Sequence, residues 1–254
     1  MFRNLYADTR SILSSRIFGL AMLAVFAGQT FDFVITKVIY LVIDASISAE
    51  SIAYFYPSAA GFIVTAATLF ITDREFSNGC IRNKIISGVK RSDAFLSAVC
   101  GGMLQAVMYT LFACVVSIFF SSFFTLGFMA ESISEIADRW LVTTMACVAI
   151  GVFSTSIVMM LGGNKISYVV GLFLAFAMKV WDNRILGKLY PEKGHCTLTG
   201  MNLAVCRFID RYVPYSYLVA RPHYDMGSYI IGCSAMVILS VVIGLVVFNK
   251  RELK

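Results

Sequence analysis

Long apolar runs set the first limit on what this chain can become. From Ile17 to Phe248, stretches of around 20 apolar residues recur, separated by short polar breaks. At 1.5 Å per residue, about 20 helical residues cross the roughly 30 Å hydrocarbon core of a bilayer. Barrel strands would alternate apolar and polar residues over about ten positions, and these runs do not alternate. The sequence therefore predicts an all-α integral membrane protein with six transmembrane helices. The spans fall at about 17–38, 54–72, 94–124, 140–161, 166–181 and 228–248, in a single domain over 1–254. Composition agrees: the 254 residues are 59% hydrophobic and 14% charged, whereas a soluble domain carries about 25% charged residues.

The charges that remain are sorted. Assigning 1–16, 73–93, 162–165 and 249–254 to one side collects 12 of the 21 Lys and Arg but 5 of the 15 Asp and Glu. Lys and Arg accumulate in cytoplasmic loops, so both termini are expected in the cytoplasm. The net charge of +6 then reports topology, and nucleic acid is not an expected partner. The densest part of this set is the island Asp73–Asp93, with Arg74, Arg82, Lys84, Lys90 and Arg91. Phe76, Ile81, Ile85, Ile86 and Val89 recur within it at helical spacing, which predicts an amphipathic cytoplasmic helix over about 74–90.

Shorter features fill in the layout. Residues 1–16 read as an amphipathic lead whose Phe2, Leu5, Tyr6, Ile12 and Leu13 lie in the interface while Arg3, Arg10 and Arg16 face phosphates. Asp32 and Lys37 fall toward the outer end of the first span. The third span is longer than one crossing needs, so it tilts, kinks near Gly101-Gly102 or enters the outer interface. Gly162-Gly163-Asn164-Lys165 reads as a turn. In the outer loop 182–227, Met201, Val205, Phe208, Ile209 and Tyr212 form an apolar stripe opposite Arg207, Asp210 and Arg211, a short interfacial helix. Cys196 and Cys206 share that loop, and they either pair in an oxidising compartment or stand as two thiols.

Catalytic groups are scarce. Both histidines, His195 and His223, lie in the outer loop, and no span carries a His/Cys/carboxylate cluster with metal-ligand spacing or a pair of carboxylates. The sequence thus assigns no catalytic, cofactor or metal residue, and the chain is not expected to be an enzyme. If it moves a solute against a gradient, another polypeptide supplies the energy.

The island also carries a resemblance. Glu75, Phe76, Gly79, Ile81 and Asn83, followed by Gly88 and Arg91, look like the acidic-Phe-x-x-Gly-x-Ile-x-Asn connector of the type-2 ATP-binding-cassette transporter permeases. The amphipathic lead, the six spans and the long loop before the last span are similar to that family's layout. The resemblance implies a single permease domain in the bacterial cytoplasmic membrane. Its connector would be a coupling helix seated on a separate ATPase subunit, two copies per transporter, which binds the ATP. Coupling would fall to Glu75, Phe76, Gly79, Ile81, Asn83, Lys84 and Ile85. A second permease copy, identical or a close paralogue, would complete the pathway within membrane lipid. The implied activity is export of an amphipathic or hydrophobic cargo such as a peptide, bacteriocin or drug. The alternative is a membrane immunity or scaffold protein that captures a toxic peptide without transport.

Overall fold

A computed structural model describes residues 2–44, 46–128, 131–163, 165–191, 196, 198–218 and 223–251, with the side chains of 2–5 excepted. Asn164, His195, the tail residues 252–254 and the side chains of Phe2, Arg3 and Leu5, all singled out above, lie outside the described set. Every element among the described residues is a helix. In chain order these are α1 (Phe2–Leu13), α2 (Arg16–Val42), α3 (Glu50–Ala53), α4 (Phe55–Ser77), α5 (Cys80–Ile86), α6 (Arg91–Phe124), α7 (Ile133–Leu161), α8 (Ile166–Leu189), α9 (Gly200–Tyr212) and α10 (Met226–Lys250). A 3-10 turn, Ser216–Leu218, precedes α10.

Local chemistry fixes several of the ends. The Ser15 hydroxyl accepts from the Ile17 amide at 3.3 Å and caps α2. Ser132 and Glu135 form a reciprocal capping box at the start of α7, which therefore begins well before Trp140. At its other end Gly162 takes φ +65, the left-handed conformation that lets a chain leave a helix and turn.

Among the described residues, five helices are long and apolar enough to cross a membrane: α2, the α3–α4 segment, α6, α7 and α10. The arrangement is compatible with a multi-pass membrane protein. The expected fifth span, 166–181, is not among the five. It forms the first part of α8, but Lys179, Asp182, Arg184 and Lys188 interrupt its hydropathy and the helix continues to Leu189.

The helix α7 is the axis of the bundle. Two thirds of its most apolar window is buried (67%), against 22% for α10 and 28% for α2. It meets α6 where two glycines face each other. A Cβ on Gly102 would lie 2.2 Å from Thr155 Oγ1, and one on Gly151 would lie 2.8 Å from the Gly102 carbonyl oxygen. Small residues of this kind let helix backbones approach closely in lipid. Helix α6 runs through Gly101-Gly102 without interruption, so the pair serves packing where a kink was one expectation. Tyr56, Tyr109, Ala146 and Ile150 fill the core beside this crossing.

The two ends of the bundle are distinct. At one end, Arg74 donates to Ser15 (3.5 Å), Lys84 pairs with Asp8 (2.5 Å), and Arg251 donates to the Met160 carbonyl (2.6 Å). These contacts tie together the segments that the charge pattern assigned to one side. At the other end Tyr54 donates to Glu131, Arg139 stacks over the Tyr54 ring at 3.4 Å, and the Leu126 amide donates to the Ile47 carbonyl.

Candidate functional site at the connector end

The connector between α4 and α6 is not one helix over 74–90. Helix α4 carries on through Asp73, Arg74, Glu75 and Phe76 to Ser77, and the chain then turns at Asn78-Gly79. Gly79 has φ +69, a conformation that costs other residues about 1–2 kcal/mol. The seven-residue α5 follows, then a second turn at Gly88 with φ +91, and α6 begins at Arg91. The Asn-Gly pair carried this turn signal in the sequence; the helical spacing of the apolar residues masked it.

The apolar side of the connector is spent on the bundle. Ile81 is 1% exposed and packs with Phe95 and Phe248, while Phe76 and Ile85 lean on the same cluster. The face that α5 was expected to offer to a partner is thus largely occupied. Lys84 points inward to Asp8, whose second carboxylate oxygen accepts from the Ser97 hydroxyl. Glu75 is half-buried and lines a cleft of about 230 Å³ together with Ser11, Ser15, Arg16, Arg74 and Asn78. Of the seven residues assigned to coupling, Glu75, Phe76, Ile81, Lys84 and Ile85 face the bundle, Gly79 makes the turn, and Asn83 stays exposed. The outward surface is instead Arg74, Ser77, Asn78, Cys80, Arg82, Asn83, Ile86 and Lys90.

Three neighbours brace the connector. The lead α1 docks on α6: Ile12 is 3% exposed, with its Cδ1 only 2.8 Å from where a Gly101 Cβ would lie, and Asp8 is 5% exposed. An interfacial helix was expected here, yet α1 belongs to the packed end, with Tyr6 and Arg10 left outside. Asp73 is held by the hydroxyls of Tyr168 from α8 and Ser77. Arg91 donates to the carbonyls of Asn249 (3.3 Å) and Arg251 (2.6 Å), closing α10 onto the start of α6. Asp8 was legible as a charge in an amphipathic lead, but its ion pair spans 76 residues of sequence, beyond the reach of any local pattern.

The opposite end holds the remaining sequence candidates. Cys196 is an exposed thiol, Cys206 is half-buried, and the two are not bonded. Lys37 lies over the Phe33 and Phe124 rings at 5.7 and 5.6 Å. Helix α9 forms as expected, but Asp210, placed on its polar side, is 2% exposed and accepts from Tyr224 (2.6 Å) and Tyr190 (3.2 Å). Among the described residues no three His, Cys, Asp or Glu side chains converge closely enough to hold a metal ion.

The fold and this end define an all-helical protein with five helices able to cross a membrane and a braced polar connector at one end. Compared with known protein families and with curated proteins, the chain matches none.

Proposed function

We propose that the chain is the membrane subunit of an ATP-binding-cassette exporter in the bacterial cytoplasmic membrane. A separate ATPase would power it and bind the ATP. In this reading α8 also crosses the membrane, as the fifth of six spans, and both termini are cytoplasmic, because the basic segments gather at the connector end. One observation carries the reading: the connector presents a basic and polar surface outward while its inner side packs on α6 and α10 and is ion-paired to Asp8 of α1. A motor gripping Arg74, Arg82, Asn83 and Ile86 moves α4 and α6 directly, since two short turns leave no slack to absorb the displacement. Complementary charge on the partner would steer docking.

A second permease copy fits the exposed apolar flanks of α2 and α10, including Leu20, Phe31, Ile238 and Val242. The cargo in this reading is amphipathic or hydrophobic. Purification of the tagged chain from its native membrane should bring down an ATP-binding-cassette ATPase. Arg82→Glu should release that ATPase while leaving thermal unfolding of the chain unchanged. Retention of the ATPase by Arg82→Glu counts against docking at this surface. Cell protection from a peptide in a strain lacking any such ATPase would favour capture without transport.

A further inference from the structure

Beneath α9 lies a small cavity with one carboxylate on its wall. It measures about 120 Å³ and is lined by Met178, Trp181, Asp182, Ile185, Ile209 and Tyr215, among others. Asp182 is 3% exposed. Its Oδ1 accepts from the Ser216 hydroxyl at 2.5 Å, but Oδ2 is buried and meets no hydrogen-bond donor among the described residues. A buried carboxylate oxygen without a partner is costly. Two nearby basic groups are engaged elsewhere: Lys179, nearly one turn before Asp182 on α8, donates to the Ser58 carbonyl at 2.6 Å, and Arg211 donates to Ser228 at 3.0 Å; Arg184, Lys188 and Arg207 are exposed. Asp210 of α9 adds further negative charge.

A second, larger space adjoins the first. It measures about 380 Å³, within the size range of ligand pockets, and shares Met178, Val213 and Tyr215 with the small cavity. Its walls are almost wholly apolar, formed by Phe153, Met236, Leu239 and Ile243 among others. Along α10 it extends from Gly232 to Ile243, a rise of roughly 16 Å, or about half the hydrocarbon core and so one leaflet. Ser156, 1% exposed and without a hydrogen-bond partner, lines this slot on the α7 side.

We infer that the two spaces form one binding site for a cationic amphiphile, its ammonium group on Asp182 and its apolar body in the slot between α8 and α10. The small cavity is far larger than one water needs and close to the volume that holds a benzene ring, so an ammonium head fits. Trp181 and Tyr215 line the same wall, and aromatic rings attract a cation placed over them. A neutral chain fills the slot but leaves Asp182 unanswered, and an anion is repelled. As a cargo site this rests on the export reading; as a binding site it stands without it.

The test is equilibrium binding of dodecylamine and of 1-dodecanol to the purified chain in lipid nanodiscs at pH 7.5, corrected for empty discs. Dodecylamine should bind about tenfold more tightly than dodecanol, as expected of a charge-assisted hydrogen bond. Asp182→Asn should bring the two ligands level, with dodecanol binding retained as the sign of an intact slot. Ala235→Phe, which narrows the slot, should weaken both. Equal binding of the two ligands by the parent chain, or undiminished dodecylamine binding by Asp182→Asn, overturns the inference. Neither result bears on ATPase copurification, so the site and the transporter reading fail separately.

Discussion

Ile81 is the one fully buried residue of α5, so Ile81→Ala should release the connector from the bundle. Removing a buried isoleucine down to alanine costs about 2–5 kcal/mol, depending on how far the site collapses. Ile81 packs with Phe95 and Phe248, and the part-buried Phe76 and Ile85 of the same cluster can close part of the gap. The expected loss is therefore at the low end, about 2–3 kcal/mol. Because α5 has seven residues bounded by turns at Gly79 and Gly88, that loss should appear as local opening of 79–89. Hydrogen exchange of those amides should accelerate between about 30- and 150-fold, with α4 and α7 unaffected. Ile86, 73% exposed, is the control: Ile86→Ala should leave exchange unchanged and weaken ATPase docking. Unchanged exchange at 79–89 in Ile81→Ala would refute the idea that bundle packing holds the connector taut.

Other expectations follow from the same geometry. Gly79→Ala meets no neighbour within 4 Å, so its cost should be the backbone term of about 1–2 kcal/mol, seen as faster exchange at the turn and as ATP hydrolysis uncoupled from export. Asp8→Asn should destabilise the chain by about 1–3 kcal/mol in detergent unfolding, since Lys84 is only part-exposed and loses its partner. Lys84→Met in the same background should recover part of that. A membrane-impermeant maleimide should reach Cys80 from the cytoplasmic face and Cys196 from the outer face. Labelling of both from one side contradicts the proposed topology.

Apolar runs located five long helices, because length and hydropathy are local properties of the chain, although α4 and α7 extend several residues beyond the expected bounds. The charge sorting also anticipated which segments meet, since Ser15, Arg74, Lys84, Arg91 and Arg251 do gather at one end. What stayed hidden depends on distant partners. Asp210 read as a charge on the polar side of an amphipathic helix and Asp8 entered only the charge count of the lead, and each is buried because residues outside its own helix answer it. The outward and inward faces of α5 were exchanged for the same reason: spacing shows that Ile81 and Ile85 share a side, but only Phe95 and Phe248 decide that this side faces the bundle. Asp182 falls just past the expected fifth span, and its unpartnered oxygen became visible once Ser216 and Tyr215 were folded against it.

The coupling surface is most directly tested by placing a photo-crosslinker at Ile86 in the intact native membrane and identifying what it captures. We expect an ATP-binding-cassette ATPase, with a yield that changes when ATP or a non-hydrolysable analogue is added. Capture of lipid alone, with no ATPase under either condition, would contradict docking at the connector.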